Sequence, residues 1–254
     1  MRALIGGTGN MGRAIQGALT ARGDEVAAMV GRGRLRPDVA DLAPLDVAFE
    51  FSHASTLLSN VELALAAGCR AFVVGTTGWA GDDTIEPALV ARLARADARA
   101  VTAPTFSLAA VLFGELAEAA ARLFGGFPEY DAYVFEQHRR HKADRPSGTA
   151  LAVATRMLPH LPSKRRARLA EGPGAPDPDV LEVAALRAGT HPGMHVVGFD
   201  GPGEALELRV TARDRSAYVA GALFAADWLA GHPERTGIHH FSSLVREQAG
   251  AAQD

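Results

Sequence analysis

Short apolar runs alternate with helical periodicities over the first hundred residues. Ala3-Leu4-Ile5, Val26-Ala27-Ala28-Met29-Val30, Val47-Ala48-Phe49, Ala71-Phe72-Val73-Val74 and Ala100-Val101 are apolar at successive positions and too short for helices. That is the pattern of strands buried on both faces, as in a parallel sheet. Between several of them, residues 11–22, 57–67 and 85–96 carry helical patterns. Such alternation predicts βαβ units.

Beyond Pro104 the pattern changes. An Ala- and Leu-rich helix is predicted over residues 108–123. It is followed by 131–136, where Ala132 and Val134 alternate with Tyr133 and Phe135, and later by Leu206, Leu208 and Val210 alternating with Glu207, Arg209 and Thr211. Period-two alternation predicts strands with differently treated faces, in a mixed or antiparallel sheet. The fold class expected is therefore α/β: a Rossmann-type parallel-sheet domain plus a smaller α+β domain. Residues 172–179, rich in Gly and Pro, are expected to form a loop. The last 25 residues, after a helix ending near Trp228, are polar and expected to lie against the first domain or to fray. Lys164-Arg165-Arg166 and Arg168 are assigned to a solvated loop, and His239-His240 to the surface of the tail.

The chain has 254 residues, 48% hydrophobic and 22% charged, the balance of a globular protein. A net charge of −3 gives the whole molecule no electrostatic reason to seek nucleic acid or anionic membranes, so any anion site must be a local basic cluster. The single Cys69 lies in an apolar context and is expected to be a small buried residue in a reducing compartment. Residues 1–7 are too briefly apolar for a signal segment, and no run approaches a membrane span, so a cytoplasmic protein is expected.

Leu4-Ile5-Gly6-Gly7-Thr8-Gly9-Asn10-Met11-Gly12-Arg13 lies between the first strand and first helix. Gly7, Gly9 and Gly12 fit G-x-G-x-x-G, and Gly6, Gly9 and Gly12 fit G-x-x-G-x-x-G. Glycine is needed there for a tight turn, close approach to a pyrophosphate, and close helix–strand packing. The helix start would offer free N–H groups to the phosphates. At the end of the second strand stands Val30-Gly31-Arg32-Gly33-Arg34, with no acid to pair with ribose hydroxyls. Arg32 and Arg34 there favour NADPH, with NADH also accepted, because guanidinium binds a 2′-phosphate by charge-assisted bonds.

The densest chemistry is Glu136-Gln137-His138-Arg139-Arg140-His141-Lys142-Ala143-Asp144-Arg145-Pro146-Ser147-Gly148-Thr149-Ala150. Five consecutive basic residues precede a helix expected to begin near Gly148 and to be capped by Ser147 or a neighbour. A carboxylate-bearing substrate would be held there. His138 and Lys142 are side chains suited to giving up a proton near neutral pH. No aromatic residues interleave the run, which speaks against nucleic acid.

These residues resemble the 4-hydroxy-tetrahydrodipicolinate reductase family, whose signature E-x-H-H-x-x-K-x-D-x-P-S-G-T-A is matched here as E-Q-H-R-R-H-K-A-D-R-P-S-G-T-A. The likeness extends to the glycine turn, to Val74-Gly75-Thr76-Thr77-Gly78, to Ala103-Pro104-Thr105-Phe106-Ser107, and to Gly193-Met194-His195, Asp214-Arg215 and Gly221-Ala222. The resemblance implies His138 as a catalytic histidine and Lys142 as general acid, with Arg139, Ser147, Gly148 and Thr149 binding substrate. It implies Gly6, Gly7, Gly9, Asn10, Met11, Gly12, Arg32, Gly75, Thr76, Thr77, Phe106 and Arg215 at the cofactor. It further implies a dinucleotide-binding domain of residues 1–105 completed by 215–254, a substrate and tetramerisation domain of 106–214, and a homotetramer. The expected reaction is reduction of a cyclic dicarboxylate imine on the route to diaminopimelate and lysine. Three residues depart from the family pattern. Arg139 replaces a second histidine, Thr105 a hinge asparagine, and Thr8 a glycine.

His191 and His195 have an H-x-x-x-H spacing, but Pro192 and Gly193 forbid a regular helix and no companion ligand is evident, so no metal is expected. Two rival readings stand: a paralogous reductase of a related dicarboxylate, and a non-enzymatic NADPH-binding sensor.

Overall fold

The computed structural model describes residues 1–31 and 37–251. The chain divides into two compact units, Met1–Ser107 with Arg215–Asp254, and Leu108–Asp214. The first unit opens with Arg2–Gly6 (β1), Asn10–Arg22 (α1), Glu25–Val30 (β2), Val39–Leu42 (α2), Val47–Glu50 (β3), Ala54–Ala66 (α3), Ala71–Val74 (β4), Ile85–Arg95 (α4) and Arg99–Thr102 (β5). The apolar runs are the five strands, paired in parallel in the order β2-β1-β3-β4-β5. Burial of β3 and β4 is complete along their lengths, which is why their sequences do not alternate. Because β2 and β3 flank β1 on opposite sides, the strand order reverses at β1. In open α/β sheets the crevice beyond the strand C-termini at such a reversal is where ligands bind. The helix ends are locally encoded. Helix α1 stops at Gly23, whose φ of 82° lets its N–H reach the Leu19 and Thr20 carbonyls, and the ring of His53 accepts from the Ser55 N–H to cap α3. Cys69 is fully buried, and burial pushes its thiol up to about 12, which makes it inert packing.

The second unit comprises Leu108–Phe124 (α5), Asp131–His138 (β6), Gly148–Met157 (α6), Arg166–Leu169 (β7), Val180–Arg187 (β8), Gly193–Asp200 (β9) and Ala205–Ala212 (β10). Its sheet runs β10-β9-β6-β8-β7 and is mixed: β9 is antiparallel to β6 and β10, and β8 is parallel to β6 and β7. One face is covered by α5 and α6. Ala132, Val134, Leu181, Val183, Val197 and Phe199 pack there, with Phe124 stacked on Phe199 at 4.6 Å between ring centres. The Pro- and Gly-rich residues 172–179 connect β7 to β8 as a loop.

The chain then returns to the first unit as Ser216–Gly231 (α7), Gly237–His240 (β11) and Phe241–Ala251 (α8). Of the two expectations for the tail, the described residues lie against the first unit and do not fray. Strand β11 pairs in parallel with β5 and makes the first sheet six-stranded, and Phe241, Leu244 and Val245 are buried. His239 lies in β11 with its ring 5.2 Å from that of Trp228, while His240 is exposed. A four-residue strand containing two histidines carries too little apolar pattern to be recognised. The loop assigned to Lys164, Arg165, Arg166 and Arg168 is also corrected. Arg166 and Arg168 belong to edge strand β7, and Lys164 is buried against Asp131 at 2.5 Å. Charged residues on short edge strands discourage edge-to-edge pairing, and here they mask the strand's alternation. Among the described residues, no helix is long and apolar enough to cross a membrane. The fold is thus a Rossmann-type parallel sheet plus a mixed-sheet α+β unit, as the alternation predicts.

Phe241 ties the returning segment down, with ring centres 4.9 Å from Phe106 and 6.2 Å from Phe224. Phe241→Ala should lower the stability of the first unit by about 3–5 kcal/mol, read from its denaturant midpoint. A loss below about 1 kcal/mol would show that α8 is not held by this ring.

Candidate active site

The glycine turn at the end of β1 divides its tasks among its residues. Gly7 has φ +110° and packs on the Phe51 carbonyl, where a Cβ would meet the oxygen at 2.3 Å. A Cβ at Gly12 would stand 1.9 Å from the Gly7 carbonyl oxygen, so glycine there lets α1 close onto the turn. Gly9 is exposed, with nothing within 4 Å of a Cβ, and its residue position caps α1 without any side-chain hydrogen bond. The turn, the open approach and the close packing match the three demands of the G-x-G-x-x-G pattern on Gly7, Gly9 and Gly12. The N–H groups at Asn10, Met11 and Gly12 begin α1, where a helix favours phosphate. These residues fit a dinucleotide.

Gly6 serves another neighbour. A Cβ there would lie 1.9 Å from Glu50 Oε2. Glu50, at the end of β3, is buried, with Asn60 Nδ2 at 3.0 Å, the Ser52 N–H and Thr76 Oγ1 each at 3.2 Å, and the Ser52 hydroxyl in contact. Burial raises its pKa, and these hydrogen bonds only partly offset that. Thr76 is therefore committed inside the unit, while Thr77 is exposed and Gly75 has no room for a Cβ beside the Phe51 ring. Phe106 is buried between Phe51 and Phe241, and Arg215 stands exposed at the start of α7. Arg32, with Gly33 and Arg34, lies outside the described residues.

The second cluster lies at the far end of β6. Alternation puts Ala132, Val134, Glu136 and His138 on the covered face. Register sets Glu136 beside His195 of β9, and His138 beside Arg187 of β8. Glu136 has no exposed surface. It accepts the Ser147 N–H at 2.9 Å, the Ser147 hydroxyl, and Arg187 Nη2 at 2.7 Å. Its Oε2 lies 3.3 Å from His138 Nδ1 and 3.5 Å from His195 Nε2. Burial raises the carboxyl's pKa, but the facing His138 and His195 rings, Ser147 and Arg187 hold it well below the usual carboxylate range. Ser147 also caps α6 by accepting from the Ala150 N–H at 3.2 Å.

The exposed loop from Arg139 to Pro146 arches from β6 to α6. Lys142 Nζ pairs with both Asp144 oxygens at 2.6 and 2.8 Å. Burial raises the Asp144 carboxyl, but the Lys142 ammonium and the Gly148 N–H bring it below the usual range. Arg187 Nη2 also donates to the Asp144 carbonyl, tying the loop to Glu136. The structure thus brings His138, Lys142, Ser147, Gly148 and Thr149 together, with Arg139 exposed directly after His138. Three members were missed in the sequence: Glu136 as a buried hub, and Arg187 and His195, which reach it only through strand register. Glu136, His138 and His195 place potential ligand atoms within 4.8 Å of one another. His191 instead accepts the Gly193 N–H in its own loop. Arg187 also pairs with Glu136, at 2.7 Å.

Two predictions separate these roles. Gly9→Ala should cost no more than about 1 kcal/mol of stability yet weaken dinucleotide binding, whereas Gly12→Ala should cost folding stability at the upper end of about 1–3 kcal/mol. Thermal melts alongside NADPH fluorescence titrations check this, and equal stability losses would contradict it. The second concerns Glu50. The folded protein keeps a proton there over a pH range in which the unfolded chain has lost it, so stability falls as pH rises through that window. Glu50→Gln should therefore gain in Tm relative to the parent as pH rises from the carboxylate range toward neutrality. Parallel Tm profiles would contradict the raised pKa.

Comparison with known proteins identifies the family. The family model described as dihydrodipicolinate reductase, N-terminus, matches residues 1–106, and the model for that reductase's C-terminus matches residues 109–244. The 4-hydroxy-tetrahydrodipicolinate reductase of Gluconobacter oxydans (strain 621H) is 36% identical over 238 residues, covering 92% of this chain and 89% of that protein. Among solved structures, the dipicolinate-bound dihydrodipicolinate reductase from Paenisporosarcina sp. TG-14 shares the fold with a TM-score of 0.71 at 20% identity, over 94% of this chain and 97% of that one. A probable dehydrogenase from Thermotoga maritima reaches 0.50 at 12% identity, over 92% and 89%. The chain belongs to the dihydrodipicolinate reductase family.

Proposed function

We propose that the protein reduces 4-hydroxy-tetrahydrodipicolinate to tetrahydrodipicolinate, in the route to diaminopimelate and lysine, with NADPH preferred and NADH accepted. Family membership makes it a nicotinamide-dependent oxidoreductase. The observation that carries the substrate reading is Asp144. This carboxylate already lies between the Lys142 ammonium and the Gly148 N–H at the start of α6, so that place attracts carboxylates. A dicarboxylate substrate would take it with Gly148 and Thr149, while Ser147 fixes the helix start from below. Arg139, exposed beside the cluster, would hold the second carboxylate, a task that guanidinium performs at least as well as the family's histidine.

A nicotinamide held there would supply the hydride, which C4 of the conjugated imine accepts once the 4-hydroxyl has left as water. Electron density then flows to the ring nitrogen, where Lys142, assisted by His138, supplies the proton. On the cofactor side, Gly7, Gly9 and Gly12 with the α1 start at Asn10 and Met11 hold the pyrophosphate. Arg32 would read the 2′-phosphate, and Gly75, Thr77, Phe106 and Arg215 would border the rest of the dinucleotide. Gly6 and Thr76 support this site through Glu50. The two functions fall to the two units: Met1–Ser107 with Arg215–Asp254 for the dinucleotide, and Leu108–Asp214 for substrate and assembly, which moves the expected boundary after residue 105 to after Ser107. The open face of the second sheet, with Tyr133, Phe135, Ala184 and Val196, would pair with other copies in a cytoplasmic homotetramer.

The test is an assay with enzymatically generated substrate, following NADPH or NADH absorbance. Turnover with NADPH is expected, and tight NADPH binding without turnover would favour a sensor. Lys142→Ala should lower kcat by about 10²–10⁴, since proton donation matters in the transition state. Arg139→Ala should mainly raise KM, because a carboxylate clamp acts alike on ground and transition states. If Lys142→Ala raised KM alone, Lys142 would be the clamp and His138 the donor.

A further inference from the structure

The mechanism leaves Glu136, the most deeply buried charge of the second unit, without a task. We infer that Glu136 is the positioning residue of the site, fixing the tautomer and orientation of His138 while locking the start of α6 to the same carboxylate. The inference rests on the proposed role of His138 and extends it.

Glu136 has one oxygen engaged by Arg187 and by the Ser147 N–H, and the other by the Ser147 hydroxyl. The second oxygen also faces the two histidines, His138 Nδ1 at 3.3 Å and His195 Nε2 at 3.5 Å. The rings of these histidines stand edge to face, 5.1 Å between centres. His138 Nδ1 is buried and has no aligned hydrogen-bond partner. Glu136 Oε2 is the acceptor in front of it. Catalytic hydrogen bonds are often long in the ligand-free state and tighten when substrate binds. A carboxylate accepts only, so a nitrogen facing it must carry the proton. The neutral ring of His138 is thereby held with its hydrogen on Nδ1, and Nε2 is the nitrogen that takes up and gives back the proton in transfer. The Nε2 edge is kept clear by Gly193, where a Cβ would lie 3.1 Å from that nitrogen, although the backbone there does not need glycine's positive φ. The same carboxylate binds Ser147, the cap of α6, so the carboxylate cradle and the histidine cannot move independently. His195 holds Oε2 from the other side, with its Nε2 3.2 Å from the Ser147 hydroxyl.

The test uses the full-length protein in two measurements. Nitrogen-15 NMR of histidine-labelled protein, with His138 assigned by difference against His138→Gln, reads the tautomer at a pH where the ring is neutral. Hydrogen on Nδ1 is expected, and hydrogen on Nε2, the form favoured by free histidine, would overturn the inference. Glu136→Gln removes the obligatory acceptor while keeping the shape. It should lower kcat on the order of 10²-fold with NADPH affinity unchanged, and its His138 signal should move toward the Nε2–H form. Unchanged kcat with raised KM alone would also overturn the inference. The NMR result needs no turnover, so a parent protein that oxidises no NADPH would sink the proposed reaction and leave the tautomer to decide this point.

Discussion

A carboxylate with no exposed surface sits near the end of β6, and the second unit is organised around the need to compensate it. Taking an ion out of water costs several kcal/mol unless every lone pair finds a donor. Glu136 meets that demand with Arg187 from β8, two donors from Ser147, and the facing histidines of β6 and β9. Each partner comes from a different element, so the requirement links two neighbouring strands to the cap of a helix. The apolar face below it, from Ala132 to Val134, supplies the burial, and the polar cluster ends that face where substrate chemistry would begin. Arg187 extends the link to the Asp144 carbonyl, and Asp144 in turn holds Lys142. One buried charge therefore orders both the helix start and the loop that carries the proposed acid.

The first unit contains a second buried carboxylate with the opposite outcome. Glu50 is surrounded by neutral donors from Ser52, Asn60 and Thr76, with no cation in contact among the described residues, and its pKa moves up. Glu136 has an arginine and its pKa moves down. The difference follows from whether an opposite charge accompanies the hydrogen bonds. Glu50 also explains a glycine of the turn that the dinucleotide motif alone does not need, since it occupies the space of a side chain at Gly6.

The parallel sheet was legible because buried parallel strands are continuous apolar runs, and all five runs became strands. The glycine turn was legible for the same reason, as its position between strand and helix restricts what glycine can be doing. The basic loop and helix start were legible because they are contiguous. What escaped depends on pairing between distant segments. Arg187 carries no local signal and that of His195 points to His191 or to the family likeness, not to Glu136; only the register of β8 and β9 against β6 brings the two there. Strand β11 escaped because its stability comes from β5 and from Phe241, not from its own four residues. Strand β7 was hidden by the charges that protect its edge.

The central claim is that a carboxylate cradle and a histidine are held as one piece by Glu136. The most direct measurement is a crystal structure of the protein with pyridine-2,6-dicarboxylate, a planar relative of the proposed substrate. The account predicts one ligand carboxylate on the N–H groups at Gly148 and Thr149, with Lys142 turned from Asp144 toward the ligand. His138 Nδ1 and Ser147 should then both lie within hydrogen-bond distance of Glu136. A ligand bound elsewhere, or a His138 ring swung away from Glu136 in the complex, would contradict it.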